Sequence, residues 1–138
     1  MIVLDTSGVL AALDRDSDAH ERAARILRAD PDRILSPFVL AELDYLVGTR
    51  VGRRAAADLL EDVAAGAYLL APFSAADVRE ARQVIARYDD LGIGLADASL
   101  VVLAARHRTD RILTLDERHF RALRTASGAP FAVLPADA

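Results

Sequence analysis

Four carboxylates stand where the surrounding residues are apolar, and binding of a shared divalent cation is the chemistry that would hold them there. Asp5 follows Ile2-Val3-Leu4, and Asp116 follows Ile112-Leu113-Thr114-Leu115. Glu42 interrupts Phe38-Val39-Leu40-Ala41-Glu42-Leu43, and Asp97 is the only charge between Leu91 and Ala105. A buried carboxylate is costly unless a counter-charge or hydrogen bonds compensate it. Hard Mg2+ accepts carboxylate, water and phosphate oxygens together, which makes it the simplest common counter-charge. Each acid also has a local explanation. Asp5 in Asp5-Thr6-Ser7-Gly8 and Asp116 before Glu117-Arg118-His119-Phe120 occupy helix N-cap positions, and Asp97 falls in a first helical turn, where the dipole favours an anion. Capping does not cover Glu42. At helical spacing it shares a stripe with Phe38, Val39, Tyr45 and Leu46, so it is expected to face the core and to need a metal or a buried arginine. Asp44 faces elsewhere, and Thr6, Ser99 and Thr114 are hydroxyls that could hydrogen-bond a water or a ligand oxygen.

The elements that must position these acids alternate along the chain. Strand-like runs at 2–5, 33–35, 67–70, 111–115 and 131–134 are separated by helix-like segments at 7–13, 17–29, 37–48, 51–65, 74–88, 95–107 and 117–124. This alternation predicts an α/β fold in three layers, a mostly parallel sheet of about five strands flanked by helices. Open sheets of this kind bind ligands beyond the carboxyl ends of their strands, so Asp5 and Asp116 are expected to point into one crevice. Ser36-Pro37 and Ser74 read as helix starts, whereas Gly48, Gly66 and Gly128 read as helix ends. Gly92-Ile93-Gly94 reads as a turn feeding the Asp97 helix, and Pro135 to Ala138 as a frayed tail. With no repeat, low-complexity tract or linker, residues 1–138 are expected to form a single domain.

Composition narrows the function. The chain is 53% hydrophobic and has no cysteine, so disulfides and thiolate metal sites are excluded and a reducing, cytoplasmic setting is expected. No apolar run reaches membrane-span length. His20, His107 and His119 lack paired zinc spacing, and Ser7 and Ser99 lack the context of a nucleophile elbow. A net charge of −4 counts the four acids before any cation neutralises them. All 17 basic residues are arginine. The groups Arg50-Arg53-Arg54 and Arg118-Arg121-Arg124 are candidate RNA contacts or solvated helix faces. Aromatic stacking platforms are scarce.

Taken in order, Asp5-Thr6-Ser7, Glu42 in Ser36-Pro37-Phe38-Val39-Leu40-Ala41-Glu42-Leu43, Asp97 in Leu95-Ala96-Asp97-Ala98-Ser99, and Leu113-Thr114-Leu115-Asp116 with Phe120 four positions later resemble the PIN-domain ribonucleases, in particular VapC-type toxins of toxin–antitoxin pairs. The resemblance spans the whole chain. It implies a PIN fold, Mg2+ or Mn2+ in an acidic pocket, and cleavage of single-stranded or structured RNA such as tRNA or rRNA. By position it implies Asp5 and Asp97 as direct metal ligands, with Glu42 and Asp116 completing the catalytic pocket. It also implies a homodimer and a cognate VapB-type antitoxin.

In such a site a metal-activated water, rather than the RNA 2′-hydroxyl, would attack the phosphate, leaving 5′-phosphate and 3′-hydroxyl ends. Other readings are compatible with the same acids: a catalytically silent PIN-like module binding RNA or protein, or a housekeeping PIN nuclease. A phosphatase with Asp5 as nucleophile fits less well, because the haloacid-dehalogenase pattern needs an aspartate where Ser7 stands.

Overall fold

Short apolar runs that remain continuous, rather than alternating with polar residues, build a sheet whose central strands are buried on both faces, while both leucines of the edge strand at 69–70 stay exposed. The computed structural model describes all residues from Met1 to Ala138. Its strands are β1 (Ile2–Leu4), β2 (Arg33–Leu35), β3 (Leu69–Leu70), β4 (Arg111–Leu113) and β5 (Ala132–Leu134), all parallel, in the order β3-β2-β1-β4-β5. The helices are α1 (Thr6–Leu13), α2 (His20–Ala29), α3 (Pro37–Arg50), α4 (Arg53–Ala64), α5 (Ala75–Arg87), α6 (Leu95–His107) and α7 (Glu117–Ala122). Helix α1 packs on α2 and α3, α3 on α4 and α6, and α6 on α5 and β1. Ile2, Val3 and Leu4 are fully buried, as expected for a central strand covered on both sides.

The strand order decides where the site can be. The chain steps outward from β1 to β2 and β3, then returns to lay β4 on the other side of β1, so the direction of winding reverses between β1 and β4. Connections leaving these two strands diverge and open a crevice at their carboxyl ends. Register places Leu70, Leu35, Leu4, Leu113 and Leu134 in one row across the sheet. Asp5 begins one residue beyond that row, so an apolar floor lies beneath it. At the opposite end of the strands, Asp30 is 4% exposed and binds the Met1 amino group, the Asp32 N–H and the Arg111 guanidinium.

Several boundaries depart from expectation for identifiable reasons. The fourth strand ends at Leu113 rather than 115, because Leu115 is 41% exposed and no longer paired. Helix α3 runs through Gly48 to Arg50, since an interior glycine costs a helix only about 1 kcal/mol. The chain breaks instead at Gly52, whose φ of 140° suits glycine alone. Gly128 closes a turn between Thr125 and Ala129 rather than a helix. The tail is tied down, not frayed: Asp137 accepts from the Val133 N–H and from two nitrogens of Arg121.

Candidate active site

Asp5 sits at the N-cap of α1 but does not cap it with its side chain. Its Oδ2 instead accepts from the Thr114 hydroxyl at 2.7 Å and the Ser7 hydroxyl at 2.8 Å. The backbone beneath is equally close, with the Asp5 N–H donating to the Leu113 carbonyl at 2.9 Å. Leu115 N–H donates to Ser7 Oγ, and Asp116 N–H to Thr114 Oγ1. Two hydroxyls thus stitch the end of β1 to the loop after β4.

Glu42 is not turned toward the core as expected. The buried face of α3 is Val39, Leu43 and Val47, one residue per turn, and Tyr45 is 68% exposed. Glu42 lies beside that face, exposed, with Oε1 accepting from the Thr6 hydroxyl at 2.5 Å. Neither a core position nor an arginine partner is found. Ser99 also differs from its expected role: it is fully buried and donates to the Ala96 carbonyl at 2.6 Å, so the 2.7 Å contact with Ser36 is donated by Ser36. Ser36 in turn accepts from the Phe38 N–H and caps α3. This hydroxyl chain joins the N-cap of α3 to the second turn of α6, the helices that carry Glu42 and Asp97.

Asp97 occupies the first turn of α6, and its surroundings act on it through burial and charge, without a hydrogen bond. Asp116 both caps and faces inward. Its Oδ1 accepts from the His119 N–H at 3.1 Å, while Oδ2 lies 2.9 Å from His119 Nδ1. The same nitrogen is 3.4 Å from Asp97 Oδ2. Ligand atoms of Asp97, Asp116 and His119 all lie within 4.8 Å of one another, a span that one divalent cation can bridge. Asp5 and Glu42 stand outside this group of three but line the same cavity, of about 480 Å³, together with Asp97, Asp116, Tyr45 and Arg50.

A family model for the PIN domain matches residues 2–125, most of the chain. This protein belongs to the PIN-domain family. Ribonuclease VapC26 of Mycobacterium tuberculosis is 45% identical over 135 residues, covering 97% of this chain and all of the relative. Among solved structures, M. tuberculosis VapC20, a sarcin–ricin-loop-cleaving toxin, superposes with a TM-score of 0.77 at 22% identity, over 84% of this chain and 90% of that one. VapBC2 from Rickettsia felis, bound to a DNA fragment from its promoter, gives 0.66 at 20% identity over 96% and 98%. At those identities the two structures speak for the fold, and they agree with the five-stranded parallel sheet.

In this PIN domain the acids raise one another's proton affinity. Burial over the leucine row raises the Asp5 carboxyl above its ordinary range, against the opposing pull of the Thr114 and Ser7 hydroxyls, and the charge of Asp116 adds to the rise. Asp97 is pushed up to about 6, first by burial, then by the charge of Asp5, with His119 opposing and Asp116 and Glu42 adding. Crowded acids with hydroxyl donors on one side only, and a ring nitrogen lacking any hydrogen-bond partner, fit a divalent cation.

A pH dependence follows. Unfolded, Asp97 binds its proton near 3.8; folded, near 6. Between those values the native state holds the extra proton, so unfolding free energy falls as pH rises through that window. Because solvent screens this partly exposed group, metal-free protein should lose roughly 1 to 2 kcal/mol between pH 4 and pH 7 from it. Urea unfolding across the window should show a slope that flattens in Asp97→Asn; an identical slope in both proteins would refute the assignment.

Sequence reasoning passed over His119, because it sought paired histidines rather than one imidazole three residues after a capping aspartate. It also counted aromatics without foreseeing that Tyr45 would stand at the cavity mouth. Of the two arginine groups, Arg121 is held by Glu117 and Asp137, and Arg124 donates to the carbonyls of Arg121 and Leu123. Arg50 alone among the basic side chains of the first group reaches the acidic cavity. No helix is long and apolar enough to cross a membrane.

Proposed function

We propose that the chain works as one PIN domain over residues 1–138, a Mg2+-dependent endoribonuclease serving as the toxin of a VapBC-type pair. The observation that carries this reading is the gathering of Asp5, Glu42, Asp97 and Asp116, which come from four separate chain segments, in one cavity at the sheet's switch point. The name of its 45% identical relative, a ribonuclease, supports the same class of reaction. Asp5 and Asp97 would hold the cation, Mg2+ with Mn2+ as a substitute, while Glu42 and Asp116 complete the pocket. When bound, the ion supplies a Lewis acid for the phosphate and an activated water.

The chain's own groups do the rest. Thr6 fixes the Glu42 carboxylate, and Thr114 and Ser7 fix Asp5, so the oxygens facing the cavity are held in place before substrate arrives. Arg53, Arg106, Arg111 and Arg121 are engaged by acids of the fold, whereas Arg50 has no acidic partner and lines the cavity, which suits an RNA phosphate. Tyr45 at the mouth offers a face for an unpaired base, as in single-stranded or looped tRNA or rRNA. The Rickettsia VapBC2 structure supports a VapB-type antitoxin as partner. A homodimer and a cytoplasmic location complete this reading.

Purified protein should cut single-stranded RNA in Mg2+, leave 5′-phosphate and 3′-hydroxyl ends, and stop in EDTA. Cutting that persists in EDTA, or ends that carry 2′,3′-cyclic phosphate, would remove the metal-activated water from the mechanism.

A further inference from the structure

We propose that His119 is a ligand of the cation, and that its nitrogen tilts the site from Mg2+ toward Mn2+. The inference rests on the cavity being a cation site, and it assigns one nitrogen donor among what are otherwise oxygens.

Local geometry puts the imidazole there. Asp116 uses Oδ1 to cap α7 through the His119 N–H, which fixes the two residues on one turn and leaves Oδ2 facing the ring at 2.9 Å. The helix itself is anchored. Phe120, next to His119, is fully buried and meets Phe131 edge-on at 6.2 Å between ring centres, and Leu123 is fully buried as well. The imidazole is therefore carried by a fixed turn.

His119 Nδ1 is buried yet aligned for a hydrogen bond with neither carboxylate beside it. Its distances of 2.9 Å to Asp116 Oδ2 and 3.4 Å to Asp97 Oδ2 match adjacent corners of a coordination shell, which stand about 3 Å apart when each ligand is about 2.1 Å from the ion. A nitrogen close to two carboxylate oxygens but hydrogen-bonded to neither is placed to join Asp97 as a donor to an ion, with Asp116 beside it. Hard Mg2+ favours oxygen donors and keeps its waters, whereas a transition-metal ion accepts imidazole more readily.

Electron spin-echo spectroscopy of Mn2+ bound to the full chain should detect nitrogen modulation from a directly coordinated imidazole, altered by uniform 15N labelling and lost in His119→Gln. In competition titrations, the preference for Mn2+ over Mg2+ should fall about tenfold or more in that variant, at least the scale on which outer-shell partners act. His119→Asn places an amide oxygen near the Nδ1 position; it should retain a ligand and move the ratio toward Mg2+. Metal-free melting and circular dichroism establish that both variants fold. Mn2+ bound to wild-type protein without nitrogen modulation, or a metal preference unchanged in both variants, overturns the role of His119 while leaving the cation site intact. Absence of Mn2+ binding to wild-type protein, with RNA still cut in EDTA, overturns the cation reading itself.

Discussion

Asp5→Asn should lower Mg2+-dependent RNA cleavage by on the order of 10³-fold and leave the metal-free protein at least as stable as before. Both halves follow from the same burial. Asp5 is 6% exposed above a row of leucines, and its charge is opposed by desolvation and by Asp116. The amide removes that charge but keeps an oxygen that can accept from Thr114 and Ser7, so the local stitching persists. What would disappear, on the proposed assignment, is a donor to the cation and several kcal/mol of charge stabilisation, each about 1.4 kcal/mol being tenfold in rate. A cleavage assay beside a thermal melt reads both. Cleavage within tenfold of wild type would show that Asp5 is a structural cap and that another group holds the ion.

Gly8→Ala should be the most damaging small substitution, although an alanine normally stabilises a helix interior by about 1 kcal/mol relative to glycine. An added Cβ on Gly8 would lie 2.5 Å from the Leu113 carbonyl oxygen and 2.7 Å from its carbon, and backbone in a central strand cannot withdraw. Helix α1 would have to lift off β4, at roughly 1 to 3 kcal/mol of overpacking, and the Asp5–Thr114 and Ser7–Leu115 bonds would lengthen with it. Reduced stability and reduced cleavage are therefore expected together. Gly48→Ala is the control: its Cβ would meet only the side chain of Arg53, 71% exposed and held by no more than a 3.7 Å surface pair with Asp44, so that side chain can swing away and the change should follow helix propensity and be neutral or stabilising. If chemical denaturation finds the two substitutions equivalent, close approach of α1 to β4 is not what glycine provides at position 8.

How legible the site was depended on the range of the contacts that build it. Asp97 stood out because one charge in a long apolar run has no ordinary explanation, and the span of α6, 95–107, follows from the same run. Asp5 was visible as the residue after a buried strand. Glu42 was noticed for the wrong reason: its neighbours were taken as a core stripe, but the turn-by-turn buried face is Val39, Leu43 and Val47, and the partner that fixes Glu42 is Thr6, 36 residues away. Hydrophobicity alone extended β4 through Leu115, an apolar residue that ends up 41% exposed because the chain has already left the sheet to bring Asp116 round to the cavity. His119 belongs to the site through three-dimensional proximity to Asp97, 22 positions away, and only its spacing from Asp116 was local. The tail was misjudged because nothing in Pro135-Ala136-Asp137-Ala138 foretells that Arg121 will hold its aspartate.

The contact between Ser36 and Ser99 bears on how the ion would come and go. These two buried hydroxyls join the start of α3 to α6, the helices that carry Glu42 and Asp97, with or without an ion between the acids. A cation at the proposed site would therefore need little rearrangement of the backbone on binding, and chelation should empty the site without melting the protein, unlike small zinc modules whose folding and metal uptake are one event.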